Sequence, residues 1–186
     1  MPRLAEILNR DQLPSEQQDM FDYLTKTRGS VRVPFSLILN SPEACRRISH
    51  LGTYIRFESS LPNAVTEIAT LTAARAFDCG HEWAQHSRFA REAGVSEQAI
   101  EAIANDRDPD ALQPEEALPA RYARELLKQR RVSHSTFAAA RERYGDQGVV
   151  DLTATVGYYC LMACLLNALE VIPPADAPQL PQLSRA

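Results

Sequence analysis

The sequence predicts an all-α fold. Runs with helical periodicity recur along most of its 186 residues, and no stretch of any length alternates apolar and polar residues as a half-buried strand does. Short turns rich in proline, aspartate, serine and glycine separate the runs. The opening MPRLAEILNRDQLPSEQQ has no apolar core segment and no A-x-A site, so it does not read as a secretion signal and the expected location is the cytoplasm. Residues 1–34 read as a helical extension. Ser41-Pro42-Glu43 then starts a helix that runs toward Ile55. In PNAVTEIATLTAARAF, Pro62 suits a first helical turn, and Val65, Ile68, Ala69, Leu71, Ala73, Ala74 and Ala76 surround nearly the whole circumference, which predicts a helix buried on most sides.

From Gly80, HEWAQHSRFAREAG is helical in period, and Ser96-Glu97 opens a short helix carrying Ile100 and Ile103. NDRDPDALQP, residues 105–114, breaks the pattern and connects an N-terminal to a C-terminal half. Glu115–Arg130 and Ser133–Tyr144 are amphipathic, the second with a serine cap and a stop at Gly145. Residues 152–168 carry no charged side chain. That stretch falls short of the roughly 20 apolar residues a membrane span requires, and Thr153, Thr155, Tyr158, Tyr159 and Asn167 interrupt it. It reads as a buried or subunit-interface helix, which favours self-association. The tail PPADAPQLPQLSRA has the proline content of an extended arm.

Composition fits a small globular domain: 45% hydrophobic and 24% charged residues with a net charge of −4. The one short basic run, Lys128–Arg131, decorates a helix end and leaves no nucleic-acid footprint. Without a secretory context the four cysteines are expected to stay thiols, with Cys45, Cys160 and Cys164 as small buried hydrophobes.

The chemistry concentrates between Glu67 and His86. Glu82 and His86 stand one turn apart on one helix face, a stripe that continues into Phe89, Ala90 and Ala93, so the pair faces inward. A carboxylate beside an imidazole in a low dielectric is a proton-transfer pair, although satisfied core ion pairs look the same. Glu67, central in an apolar helix, adds weight. A buried carboxylate costs about 1–3 kcal/mol unless something pairs with it. The nearest candidates are Arg75, Cys79 and His86. Arg75 lies roughly 80° round the helix and can reach solvent, which leaves Glu67 to the following segment. Cys79, at a helix start, would have a lowered pKa if the amides point at it. Trp83, His81, Tyr158 and Tyr159 are the expected pocket residues, with core packing as the plain alternative for the aromatic rings. His81 and His86 are about 140° apart on a helix, so joint metal ligation is awkward and no metal is expected.

The segment from Glu67 through Cys79, EWAQH and AGVSEQAIEAI to Ile103 resembles the carboxymuconolactone decarboxylase family, which includes alkylhydroperoxidase D. The stretch RYARELLKQRRVSHSTFAAARERYGDQGVVDLTATVGYYCLMACLLNALEV resembles its longer single-chain members, so the likeness covers roughly residues 35 to 175. It implies a compact helical bundle that oligomerises through helices as a dimer, trimer or hexamer, with a domain over 35–175 and a proline-containing tail over 176–186. The family's peroxidase branch uses a glutamate, a Cys-x-x-Cys pair and a histidine as a proton relay. Glu67, Cys79 and His86 match three of those positions, but Glu82 occupies that of the cysteine that attacks peroxide. The decarboxylase branch resembles this EWxxH pattern and works without metal or cofactor on a small unsaturated lactone carboxylate.

The resemblance therefore implies an acid–base enzyme with Glu67, Cys79, Glu82 and His86 at the catalytic centre, no cofactor, and a small carboxylate or lactone as substrate. In that role His86 moves the proton, Glu82 orients His86 or shares its proton, Glu67 serves as the second carboxyl group, and an anion-binding arginine is expected from a partner subunit. Two alternatives stay open: a thiol-dependent hydroperoxide reductase using Cys79, and an oligomeric binding protein that has lost the chemistry. Nucleic acid and membrane are not expected partners.

Overall fold

The computed structural model describes residues 2–183, and among these the regular structure is entirely helical. The described residues fall into two compact units, divided between Glu58 and Ser59. The first unit holds α1 (Gln18–Arg28), α2 (Phe35–Ile38) and α3 (Pro42–Thr53), followed by a wider helical turn, Tyr54–Glu58. Its interior is Met20, Leu24, Leu37, Leu39 and Cys45, all with essentially no exposure. Tyr23 Oη bonds Thr53 Oγ1 at 3.2 Å, and the Arg28 guanidinium lies over the Phe35 ring at 4.1 Å.

The second unit is built round α4 (Asn63–Ala76), which packs against α5 (Gly80–Glu92), α7 (Pro114–Gln129) and α8 (His134–Ala168). Every residue from Val65 to Arg75 is buried, as the all-round apolar pattern predicts. Alanines and threonines dominate that run, and small side chains let neighbouring helices approach closely. The hydroxyls of Thr70 and Thr72 donate back to the Thr66 and Ile68 carbonyls at 2.8 and 2.7 Å, so their burial leaves no hydroxyl proton unmatched. Arg75 does not reach solvent as expected. It is 7% exposed, with Nη1 donating to the Ala104 and Pro181 carbonyls and Nη2 paired with Asp78. The reason is that α6 (Glu97–Ala104) and the C-terminal segment cover this end of α4, an arrangement helix periodicity does not report.

A three-residue corner, Phe77 to Cys79, joins α4 to α5. Asp78 takes the left-handed conformation, φ 50°, and two reverse bonds close the helix: Asp78 N–H to Arg75 O and Cys79 N–H to Ala74 O. Aspartate tolerates that conformation better than most side chains. The closure sets Cys79 directly at the N-cap of α5. Farther on, Ser96 caps α6 by accepting from Ala99 N–H, and Glu116 on α7 accepts from both the amide and the hydroxyl of Ser96 at 2.7 and 2.8 Å. Residues 105–113 form the expected connection, with a 3-10 turn at Pro109–Ala111.

Ser133 caps α8 as its sequence position suggests, accepting from Thr136 N–H. Gly145 breaks the helix with φ 71° and ψ 179°, and the chain resumes helical geometry beyond it. Leu152, Val156, Tyr159, Met162, Ala163 and Leu166 are buried on the inner face, whereas Val150, Leu161 and Cys164 lie exposed on the outer one. The expectation that Cys160 and Cys164 are both buried is therefore corrected: they fall on the half-covered side and the outer face of α8, respectively. The tail is described to Leu183, and positions 184–186 of the expected arm lie outside the described residues.

Candidate active site

Helix α4 brings Glu67 and helix α5 brings Glu82 and His86 to one buried point. Because α4 is buried all round, the Glu67 carboxyl group has no solvent route within its own helix, and the partner comes from α5. His86 Nδ1 lies 2.7 Å from Glu67 Oε2, and His86 Nε2 lies 3.2 Å from Glu82 Oε2. Both ring nitrogens therefore face carboxyl oxygens. His86, Glu82 and Glu67 are 2%, 3% and 8% exposed. The ring is clamped by aromatic edges, Tyr159 at 4.8 Å and Phe89 at 5.5 Å between centroids. Tyr158 meets Tyr159 edge-on at 5.2 Å.

Burial alone would drive His86 toward its neutral form. The hydrogen bonds to Glu67 and Glu82, with their negative charge, outweigh it and raise the ring to about 9. At neutral pH it is thus an imidazolium held between two carboxyl groups, with one proton on each nitrogen. Such a ring can pass a proton to an adjacent carboxylate oxygen and take it back, so the line of three groups can shuttle one proton.

Cys79 sits near this group in sequence but is 1% exposed. Burial pushes its thiol up to about 11. The amides of Glu82 and His81 at the helix start pull it down, and the Glu82 charge pushes it up again. The amide effect anticipated from the helix start is therefore present and overridden by desolvation. His81 is half-buried at the same corner, its pKa lowered chiefly by burial, and its Nδ1 is buried without a hydrogen-bond partner. Trp83 is 3% exposed. It lies in the apolar core with Ile68, Leu71 and Ile100, the packing role that stands as the plain alternative for an aromatic ring here.

Sequence reasoning did not find the lid of this corner. Asn167 Nδ2 at the end of α8 donates to the Phe77 carbonyl at 2.7 Å, and the Pro173 ring lies 3.4 Å from where a side chain on Gly80 would begin. Nothing in the local pattern links residues so far apart in the chain.

The family is decided by the region that holds the site: residues 42–125 match the model described as the carboxymuconolactone decarboxylase family. That region belongs to the carboxymuconolactone decarboxylase family. It contains Glu67, Cys79, Glu82 and His86, while Tyr158 and Tyr159 are supplied from beyond it. No curated protein matches the chain. Solved structures share the fold of this chain. An uncharacterized peroxidase-related protein from Silicibacter sp. TM1040 is 16% identical with a TM-score of 0.73, covering 94% of this chain and 93% of its own. An uncharacterized peroxidase-related protein with an alkylhydroperoxidase core, from Ralstonia eutropha JMP134, gives 16% and 0.75 over the same shares. A protein of unknown function from Agrobacterium tumefaciens gives 19% and 0.66, covering 79% of this chain and all of its own.

Proposed function

We propose that the protein is an acid–base enzyme of the decarboxylase-like kind, acting on a small carboxylate or lactone through His86. The observation that carries this reading is the buried Glu67–His86–Glu82 line, with oxygen to nitrogen distances of 2.7 and 3.2 Å and the ring raised to about 9. In this cycle a flanking carboxylate, Glu67 or Glu82, takes a proton from the substrate, the imidazolium gives one to the developing enolate or carbanion, and the carboxyl group then returns its proton to the ring. Glu82 stands where the peroxidase pattern has its attacking sulfur, so that position serves proton transfer here. Cys79, with its thiol pushed up to about 11, is a poor thiolate nucleophile. The exposed apolar face of α8, with Val150, Leu161 and Cys164, supports association with further copies of the chain.

The test is solvent-deuterium incorporation into a panel of β-keto acids and unsaturated lactone carboxylates, followed by proton NMR. His86→Ala is expected to lower exchange or turnover of the active panel member by about 10²–10⁴-fold, with helical content unchanged and Cys79→Ala retaining activity. The opposite pattern, organic hydroperoxide consumption lost in Cys79→Ala, would establish the thiol-reductase reading in its place.

A further inference from the structure

A second site lies away from the histidine. The C-terminal end of α4, with α6, α7 and the tail, encloses a cavity of about 290 Å³ whose lining includes neither Glu67, Glu82 nor His86. That volume is at the lower end of the range small-molecule sites occupy. Its floor is apolar, formed by Ile103, Leu112, Ala120 and Leu127, and the tail's Leu183 forms one wall. Around this floor stand four cations, Arg75, Arg107, Arg124 and Lys128, against two carboxylates, Asp78 and Asp106. The carboxylates are engaged: Asp78 pairs with Arg75, and Asp106 with Arg124 and Lys128. Two positive charges are left in surplus, and Arg107 stands exposed at the rim.

Arg75 is the unusual member. Its guanidinium is 7% exposed, and of its three partners two are neutral carbonyls, Ala104 O at 3.0 Å and Pro181 O at 2.6 Å. A buried guanidinium binds a carboxylate more strongly than a carbonyl, because the bond is charge-assisted and the fork matches two oxygens. The Pro181 carbonyl is also the more replaceable of the two. Residues 172–183 hold no fully buried side chain, and Leu180 is half-buried against the core. Four prolines in this segment remove backbone donors that could fasten it.

We propose that this cavity binds a small monocarboxylate with an apolar body. The ligand's carboxylate takes the place of the Pro181 carbonyl on Arg75, its chain lies on Ile103 and Leu112, and the tail beyond Leu180 lifts away. A single negative charge fits better than two, since Asp78 and Asp106 share the rim. Selectivity is for the anion over its neutral analogue. This inference is independent of the acid–base reading, because no atom of the His86 group takes part.

The experiment uses the full chain with octanoate as probe and octanamide as its neutral counterpart, read by methyl and amide NMR. Octanoate is expected to shift the Ile103 methyl saturably and to shift the amides of Leu180, Gln182 and Leu183 with the same midpoint. Octanamide should bind about tenfold more weakly, the difference between a charged and a neutral hydrogen-bond partner. Arg107→Gln should weaken octanoate several-fold and leave octanamide unchanged, and this exposed variant carries no risk to folding of the kind Arg75→Ala does. Equal affinity for the two probes, no saturable shift at Ile103, or a shift there with a motionless tail would each overturn the proposal.

Discussion

Glu67→Gln is the most informative perturbation of the buried line. His86 has three influences on its charge: burial against it, and the two carboxyl groups for it. The shorter contact, 2.7 Å to Glu67, is the stronger of the two that raise it. A hydrogen bond to a charged group contributes about 1.5–3 kcal/mol, and one pKa unit corresponds to about 1.4 kcal/mol. Removing the Glu67 charge while keeping a carbonyl of the same shape should therefore lower the His86 pKa by about one to two units. The assay is the long-range proton–nitrogen spectrum of the imidazole rings between pH 5 and 10. The wild-type His86 ring is expected to titrate near 9 and the variant well below it. Linkage gives a second readout. A folded pKa of about 9 above an unfolded value of about 6.5 means the native state holds the proton longer. The resulting stabilisation, on the order of 3 kcal/mol, is complete below about pH 6.5 and is lost as pH rises through about 9. Urea midpoints for the wild type should fall across that interval, and less steeply in Glu67→Gln. A wild-type ring titrating near its ordinary value, or one unmoved by Glu67→Gln, would refute the reasoning.

Three further outcomes follow from the same structure. Iodoacetamide labelling of Cys79 should keep accelerating with pH to 10 without a plateau, since its thiol sits near 11; a plateau below about pH 8 would indicate an activated thiolate. Trp83→Ala, which empties the centre of the core cluster, should destabilise the fold by about 3–5 kcal/mol in urea unfolding; a loss under ~1 kcal/mol would place the ring outside the tightly packed interior. Gly145→Ala adds a Cβ that meets no neighbour within 4 Å. It still forces a side chain onto φ 71° and ψ 179°, which costs about 1–3 kcal/mol and should lower the thermal midpoint measured by circular dichroism.

The all-α class was legible because its signals are local. Ser96 and Ser133 cap the helices their positions announce, and the inward face of α5 follows from the spacing of Glu82, His86 and Ala90. The pairing of Glu67 with His86 could be suspected on energetic grounds, since a carboxylate inside an apolar helix needs a partner. What escaped the sequence depends on distant segments. The angular position of Arg75 on its own helix points toward solvent, but its burial is decided by the Ala104 carbonyl and by Pro181, more than a hundred residues away. The chemistry of Trp83 allows either a pocket or a core role, and its place among Ile68, Leu71 and Ile100 is set by residues from other helices. The thiol of Cys79 is a different case. The helix-start effect is visible in a sequence, whereas the desolvation that exceeds it belongs to the folded corner.

On the proposed reading, the carboxylate at position 82 would redirect the chemistry of the site. A cysteine there would present sulfur toward His86 and need the ring as a base to generate a thiolate. Glu82 instead puts an oxygen 3.2 Å from Nε2, with Glu67 already 2.7 Å from Nδ1. The ring then has an acceptor at each end and is driven to hold its proton, the reverse of what a thiol relay requires. Glu82→Gln should weaken this hold at one end only. Because Nε2 then faces a neutral partner, the His86 pKa should fall, but by less than in Glu67→Gln, where the shorter bond is lost. In Glu82→Cys the new thiol should not become reactive at neutral pH unless Glu67 alone leaves His86 free to act as a base. Measuring the His86 titration in both variants separates the two ends of the line. Equal shifts in the two would mean that the 2.7 and 3.2 Å contacts act on the ring with equal strength, and that the order of influence argued from distance is wrong.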